Sequence, residues 1–138
     1  MVVIDADGHV LGRLSSNVAQ MLLKGEEVVI VNAEKTLITG GKASTLMDYK
    51  QKKDRGKIRK GPFYPRRADL ILKRTVRGMI PYDKTRGREA YRHLKVFVGV
   101  PSEFESEKME TIEKAMQVNT SKYVTLGDVS GFLGSNVR

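Results

Sequence analysis

The chain has 138 residues, a length typical of one domain, and a formal net charge of +9 at pH 7. It contains no cysteine, which excludes disulfide bonds and thiolate metal ligands. The first residues meet the acid Asp5 at once and do not resemble a signal peptide. No apolar run approaches the ~20 residues of a membrane span, so the sequence predicts a cytoplasmic protein with no membrane partner.

The positive charge is concentrated in the middle of the chain. Of the 25 lysines and arginines, 18 lie between Lys42 and Lys95, together with only five acids, which gives this segment a net charge of +13. The remainder carries −4. Charge of one sign at this density is typical of a surface that binds a polyanion, most commonly a phosphate backbone. We refer to residues 42–95 as the basic segment.

The first elements in chain order are a strand, a helix and a second strand. The apolar runs 2–4 and 28–31 have the composition of buried strands. Between them, apolar residues recur at helical spacing, and Gly25 suits a C-terminal cap. The residues of this stripe are Leu11, Leu14, Val18, Met21 and Leu22. A strand, helix and strand within about thirty residues predict a parallel βαβ unit and an α/β class.

The next elements carry weaker patterns. Residues 36–39 form a third extended candidate, which the glycine pair ending at Gly41 breaks, and residues 42–53 predict a second helix. We expect the buried contacts of this helix to come from Ala43, Leu46, Met47 and Tyr49.

Residues 54–65 predict an extended loop, here called the basic loop, because they contain two glycines, two prolines and four bases. A third helix follows at 67–78 and has a cationic outer face. Its predicted apolar side consists of Ala68, Leu72, Val76 and Met79.

Pro81 ends the third helix, and three further elements follow. A short basic helix or turn at 84–92 leads into the clearest late strand at 94–100. An extended segment then precedes a short last helix at 127–133, which Thr125 can cap.

Two glycine motifs suggest nucleotide chemistry, and both are incomplete. Gly8 and Gly12 lie between a strand and a helix, where dinucleotide-binding proteins hold phosphates, but the second glycine of the tight turn is missing. The Gly-Gly-Lys run ending at Lys42 lacks the first glycine and the hydroxyl residue of a P-loop. A small nucleotide-binding α/β enzyme therefore remains only as the alternative function.

The remaining candidates for chemistry are two histidines and an acidic stretch. His9 and His93 have no carboxylate partner at a suitable spacing, and we expect both to be exposed to solvent or next to RNA. The acidic stretch 103–113 is predicted to be solvated surface. The sequence thus predicts no catalytic residue, metal, cofactor or small-molecule substrate.

The basic segment favours nucleic acid as the partner. Its densest part, around the basic loop, meets only Asp54 and Asp69, and Phe63 and Tyr64 offer rings to a base or ribose. The sequence shows no zinc finger, leucine heptad or RNP-type aromatic strand. The protein would then contact mainly the phosphate backbone and recognise the shape of the nucleic acid, which suits folded RNA better than duplex DNA.

Several runs also resemble those of a known family. They are Arg77 to Pro81, the turn with Lys84 and Arg86, Leu94 to Pro101, the loop Gly61-Pro62-Phe63, and the opening with Asp5 and Leu11 to Leu14. These runs are similar, in order and over residues 1 to about 135, to universal ribosomal protein thirteen of the large subunit. The Gly-Val-Pro at 99–101 resembles the archaeal and eukaryotic branch, and the short C-terminus favours archaea. Arg13 belongs to the opening motif but is left without a role.

The resemblance implies a three-layer α/β/α fold around a small, mainly parallel sheet, with residues 1–138 as one domain. It implies a non-enzymatic constituent of the cytoplasmic ribosome that binds large-subunit ribosomal RNA and neighbouring large-subunit proteins. The expected RNA contacts all lie in the basic segment. They are Lys57, Arg59, Lys60, Tyr64, Arg66, Arg67, Arg74, Arg77, Lys84, Arg86, Arg88 and Arg92.

Overall fold

The computed structural model describes residues 1–136 and contains two β-sheets and a set of short helices. The strands are β1 (Val2–Asp5), β2 (Val28–Val31), β3 (Leu37–Thr39), β4 (Leu94–Val96), β5 (Met109–Glu110) and β6 (Tyr123–Thr125). The α-helices are α1 (Leu11–Leu23), α2 (Lys42–Asp54), α3 (Ala68–Gly78), α4 (Thr85–Arg92) and α5 (Leu126–Phe132). Short 3-10 turns occupy Ala33–Lys35, Ser102–Phe104 and Glu113–Ala115.

The predicted βαβ unit is confirmed. β1 and β2 pair in parallel with Val2 opposite Val28 and Asp5 opposite Val31, and α1 connects them. All four residues of β2 are buried, as expected for a continuous apolar run in a sheet covered on both faces. Gly25 has a positive φ of 93°, so it ends α1 in the conformation that favours glycine.

The larger sheet has the strand order β4-β2-β1-β5 and is parallel throughout, which confirms the predicted α/β class with a mainly parallel sheet. One face packs on the helices, and Ile4 and Ile30 meet Leu14 and Leu72 there. The other face presents Val3 and Val29 to Phe104 and its neighbours in the segment between β4 and β5. This second covering layer is thin, since its regular structure is one 3-10 turn.

A smaller antiparallel sheet joins the middle of the chain to its end. β3 pairs with β6, so that Leu37 lies opposite Thr125 and Thr39 opposite Tyr123. The predicted cap of the last helix is confirmed, because the Thr125 hydroxyl accepts the backbone N–H of Asp128 at 3.2 Å.

The predicted buried sides of α2 and α3 are partly wrong. In α2, Tyr49 is buried and Leu46 half-buried, whereas Ala43 and Met47 are exposed and Thr45 is buried instead. Among the other elements, α2 contacts α5 and β6 most, and a narrow stripe of its surface is covered.

The end of α3 also differs from the prediction. Met79 is exposed because it follows the last helical residue, and its position no longer continues the buried stripe. Ile71, which the sequence interpretation did not select, fills that place in the core.

The late strand is shorter than predicted. β4 ends at Val96, and the Phe97 N–H still donates to the Ile30 carbonyl at 2.8 Å before the chain turns away. Gly99 has a positive φ of 69°, and its carbonyl accepts the Asn32 N–H at 2.9 Å. Residues 97–100 therefore leave the sheet, and Phe97 and Val100 help to cover the face that carries Val3 and Val29.

The prediction for His9 is wrong, because its side chain is completely buried. Its Nε2 accepts the Ile112 N–H at 2.9 Å, so Nδ1 carries the proton and donates to the Asp7 carbonyl at 3.1 Å. His9 thus joins the turn after β1 to the C-terminal part of the chain. His93 is exposed, as are the glutamates of the acidic stretch 103–113, both in agreement with the prediction.

Candidate nucleic-acid interface

The basic loop forms a small closed turn outside the core. Lys57 and Gly61 exchange backbone hydrogen bonds of 3.2 and 2.9 Å, which leaves Ile58, Arg59 and Lys60 exposed at the tip. Gly56 has a φ of 90°, and a Cβ placed there would lie 2.2 Å from the Gly61 carbonyl oxygen. This close backbone approach requires glycine, so the turn that presents the bases depends on residue 56.

Both ends of the basic loop are held by α5. The Ser130 hydroxyl donates to the Arg66 carbonyl at 2.7 Å. On the other side, the Lys53 ammonium donates to the Leu133 carbonyl at 3.1 Å. The loop is therefore fixed where it enters and leaves the body, while its tip projects.

α3 continues the cationic surface. Ala68, Leu72 and Val76 are buried against the core, which places Lys73 and Arg74 on the outer side. The predicted amphipathic helix with a cationic outer face is present, and its buried side fixes the direction of the bases.

Two tyrosines join the basic loop to the body. The rings of Tyr49 and Tyr64 lie 6.2 Å apart, and the Lys52 Nζ lies 4.7 Å from the centre of the Tyr49 ring. Burial raises the pKa of Tyr49 to about 12, and the neighbouring Tyr64 and Asp48 add to this effect. Burial also raises the pKa of Tyr64, against the opposing influence of the Arg74 guanidinium. Tyr64 therefore packs beneath the surface, with Arg74 beside it.

A second aromatic pair joins α3 to α4. Tyr82 and Tyr91 meet edge to face with ring centres 5.4 Å apart. The Arg77 guanidinium lies 4.1 Å above the Tyr82 ring, and the Lys73 Nζ lies 5.1 Å from the centre of the Tyr91 ring. Burial raises the pKa of Tyr91, while Arg77 is the first of the charges that oppose the effect.

α4 is brought unusually close to the turn before it. A Cβ on Gly87 would lie 2.0 Å from the Pro81 carbonyl oxygen, so only glycine allows this contact. Successive helical residues are about 100° apart. Arg86 and Arg88 consequently lie on opposite flanks of the buried stripe that Gly87 and Ala90 form.

Five of the twelve predicted contacts line two neighbouring clefts. The larger, of about 660 Å³, lies between the basic loop and the start of α3 and is lined by Lys57, Arg66 and Arg67. The smaller, of about 240 Å³, includes Tyr64 and Arg74. Of the remaining predicted residues, Arg59, Lys60, Lys84, Arg86 and Arg88 are exposed outside both clefts, and Arg77 is half-buried on Tyr82. We call the surface formed by residues 55–88 and these clefts the basic face.

Arg92 lines neither of the two clefts. It lies in a separate depression with Met1, Glu27 and Lys95.

The charges of the basic face have few internal partners. Within residues 1–136, Arg67 is the only predicted contact that forms an ion pair, to Asp69 at 3.0 Å. Asp69 is buried, and its second carboxylate oxygen has no hydrogen-bond partner. Arg67 thus stabilises a buried acid as well as contributing to the surface.

The predicted RNA contacts omit three cleft residues, although the sequence already indicated Phe63 as a ring for a base or ribose. Phe63, whose side chain is 68% exposed, lines both clefts, as does Arg55, and Lys52 lines the smaller one. Lys52 stands three positions after Tyr49 on α2, a spacing that places both on one side of the helix and could have indicated it. Nothing in the local pattern distinguishes Arg55 from its basic neighbours.

The site suggested by Gly8 and Gly12 is closed. The Val10 N–H at the start of α1 donates to the Ala115 carbonyl at 2.8 Å, and the Arg13 guanidinium donates to the Gln117 carbonyl. The C-terminal segment therefore occupies the place where a phosphate would bind, and Arg13 has a structural role.

In residues 1–136, no helix combines the length and apolar character needed to cross a membrane. The same part of the chain contains no group of three or more histidine or acidic side chains placed to hold a metal ion.

The fold and the basic face define a small α/β body with a segregated, largely unpaired cationic surface. Residues 1–103 match the family described as ribosomal protein L13, and the chain belongs to this family. The family predicted from the sequence motifs is thereby confirmed. It is a family of ribosomal proteins, in agreement with the prediction that the chain is not an enzyme.

The similar proteins come from archaea, as the motifs predicted. The chain is 55% identical over 135 residues to the large ribosomal subunit protein uL13 of Archaeoglobus fulgidus, covering 96% of this chain and 86% of that protein. It is 52% identical to the protein of the same name from Methanococcoides burtonii, and 51% identical to that from Methanosarcina barkeri. In both of these cases, 98% of this chain and 99% of the relative are covered.

Proposed function

We propose that this protein is a structural constituent of the large ribosomal subunit that binds ribosomal RNA through the basic face. The observation that carries the proposal is the unpaired charge of that face. Apart from Arg67, its predicted contacts form no ion pair within residues 1–136. Such a surface repels itself until an anionic partner neutralises it, and a folded phosphate backbone supplies many charges at once.

The arrangement suits phosphate and shape more than base sequence. Each exposed guanidinium can hold a phosphate with two parallel hydrogen bonds. Phe63 is the ring best placed to stack on an unpaired base, since Tyr64 is half-buried against Tyr49. Arg92 would reach RNA only at a second point, from its separate depression.

The remainder of the chain would act as the platform. Residues 1–138 form one domain in this proposal, and the parallel sheet fixes α3 and α4 relative to the basic loop. The protein would reside in the cytoplasmic ribosome, where neighbouring large-subunit proteins share its surroundings.

The test compares two double variants with equal changes of charge. Arg59→Glu with Arg66→Glu alters the basic face, and Lys108→Glu with Lys114→Glu alters exposed positions elsewhere. Arg67 is left intact because its loss would strand the buried Asp69. Affinity for large-subunit ribosomal RNA is measured by filter binding over a range of salt concentrations.

We expect the basic-face variant to bind at least tenfold more weakly, since about 1.4 kcal/mol of lost contact corresponds to that factor. The negative slope of log affinity against log salt should also become shallower by about two, one for each lost phosphate contact. The Lys108 and Lys114 variant should keep both values close to those of the unchanged protein. Equal loss in the two variants, or affinity that does not depend on salt, would contradict the proposal.

A further inference from the structure

A groove of about 600 Å³ lies outside the basic face, on the outer side of the β3–β6 sheet. Leu37, Tyr123 and Thr125 form its floor, because they alternate with Ile38 and Val124, which face the core. α5 contributes Asp128 and Phe132, and the 3-10 turn Ala33–Lys35, which packs against α5 at Gly127, contributes Glu34 and Lys35.

The charge of this groove is opposite to that of the basic face. Asp7, Glu34 and Asp128 line it, and Lys35 is its one base among the described lining residues. The Lys35 ammonium lies 3.9 Å from the Asp7 carboxylate. The Glu34 carboxylate accepts the Gly99 N–H at 2.9 Å and keeps its charge, and Asp128 is exposed, so these two acids set the remaining charge. A phosphate backbone would be repelled here, whereas a cationic group would be attracted.

The groove also exposes apolar surface that the fold does not use. Tyr123 is 52% exposed and Phe132 is 49% exposed, although both rings belong to ordered elements next to the core. Aromatic rings beside carboxylates form a good receptor for lysine and arginine, whose charged ends meet the acids while their stems pack on the rings.

We propose that this groove is the docking site for a basic peptide segment of a neighbouring protein in the large subunit. The segment would place an arginine or lysine beside the exposed Asp128, with the charge of Glu34 nearby, and an apolar side chain against Tyr123 and Phe132. Charge complementarity identifies the occupant as a cationic polypeptide rather than RNA. The inference rests on the proposed function only in naming the large subunit as the setting.

A first experiment uses the free protein and two synthetic probes. One ten-residue peptide alternates arginine with leucine, and the control alternates glutamate with leucine. Backbone amide shifts are followed by NMR as each peptide is added. We expect the arginine peptide to shift the signals of Tyr123, Asp128 and Phe132, and the glutamate peptide to leave them in place.

Variants then separate groove binding from general attraction. Asp128→Lys should weaken binding of the arginine peptide about fivefold or more, whereas Glu103→Lys, the same change on the exposed acidic stretch, should have little effect. Equal effects of the two substitutions, or shifts produced by both peptides, would overturn the proposal. A self-associated dimer, detected by sedimentation without peptide and lost in Asp128→Lys, would identify a second copy as the occupant and would also overturn it.

A second experiment examines the groove inside the large subunit. Because the chain has no cysteine, Tyr123→Cys introduces a single thiol whose reaction with a maleimide reports access to the groove. We expect fast reaction in the free protein and slow reaction in subunits, together with a carbodiimide cross-link from Asp128 to a lysine of another protein. A thiol equally reactive in both states, or protection that nuclease treatment abolishes, would refute the docking site. Whether the variant co-sediments with large subunits is measured separately, and that result tests the proposed function.

Discussion

At the scale of single residues, Tyr49 connects the core to the basic face. Its ring is buried between α2 and the basic loop, with Tyr64 on one side and Lys52 above it. A phenol in this position is stable as the neutral form, because ionisation would bury a negative charge without a hydrogen-bond donor. The residue therefore makes the attachment of the loop sensitive to high pH.

Stability should fall between pH 10 and pH 12 because of this residue. Burial raises the pKa of Tyr49 from 10.0 in the unfolded chain to about 12 in the folded protein. The stabilisation is thus complete below pH 10 and is lost as the pH rises towards 12, by an amount on the order of 2 kcal/mol. Urea unfolding at pH 9 and pH 11.5 measures this loss of stability.

Tyr49→Phe keeps the ring and removes the titration, so it provides the matched comparison. We expect the variant to lose less stability than the unchanged protein over the same pH interval, because the ionisation of Tyr49 is absent from it. A parallel decline of the two proteins would contradict the assignment to Tyr49.

His9 shows what a local sequence pattern does not contain. A histidine in a glycine turn ordinarily lies at the surface, and no neighbouring residue indicates otherwise. Its burial depends on Ile112, more than one hundred positions away, whose N–H it accepts. Its role could be predicted only with knowledge of how the C-terminal segment returns to the turn after β1.

At the scale of elements, the position of α4 depends on the contact between Gly87 and Pro81. We expect Gly87→Ala to destabilise the protein by about 1–3 kcal/mol, because the added methyl group must displace backbone atoms rather than a flexible side chain. Thermal or urea unfolding measures the loss. Binding to ribosomal RNA should weaken as well, since α4 carries Lys84, Arg86 and Arg88.

Gly78→Ala supplies the control for this substitution. Gly78 ends α3, and a Cβ there would meet no atom within 4 Å. Alanine also has the higher helical propensity, so the change should be neutral or stabilising by up to about 1 kcal/mol. If Gly87→Ala were equally mild, the close approach of α4 to the Pro81 turn would not be a constraint.

The elements that the sequence predicted are those with strong local periodicity. β1 and β2 are β-branched runs, and α1 has a clear helical stripe. The predicted bounds of these three elements agree closely with the observed ones. β5 consists of two residues within the acidic stretch and is a strand only because it pairs with β1. The order of strands and the β3–β6 pairing likewise depend on long-range contacts, which spacing along the chain does not specify.

The candidate site follows the same division. The density of bases around the basic loop predicted which segment is cationic, and five of the twelve predicted contacts line the two clefts. The different roles of Phe63, Tyr64 and Arg92 could not be predicted, because they depend on what each side chain packs against. Arg67 stabilises Asp69 because Asp69 is buried, and helical periodicity alone does not predict that burial.

At the scale of the whole molecule, α5 links the two surfaces of opposite charge. Ser130 and Leu133 hold the ends of the basic loop, while Asp128 and Phe132 of the same helix line the acidic groove. α5 thus lies between a face suited to RNA and one suited to a cationic polypeptide. This separation leaves the positive charges close to one another in the free protein.

Repulsion within the basic segment should make the free protein more stable as salt is added. Its net charge of +13 is confined to 54 of the 138 residues, and ions shorten the range of repulsion from about 30 Å at 0.01 M to about 8 Å at 0.15 M. We expect the melting temperature to rise over this interval by roughly 2–6 °C, equivalent to about 1 kcal/mol. RNA affinity falls over the same interval, so the two measurements should change in opposite directions.

The two double variants distinguish local repulsion from total charge. Arg59→Glu with Arg66→Glu and Lys108→Glu with Lys114→Glu each lower the net charge of +9 by four. Only the first relieves the basic segment, so the salt dependence of its melting temperature should be smaller. The second adds negative charge to an already acidic stretch and should leave the dependence intact. Equal reduction by both would show that total charge, and not its concentration on one face, governs the stability of the free protein.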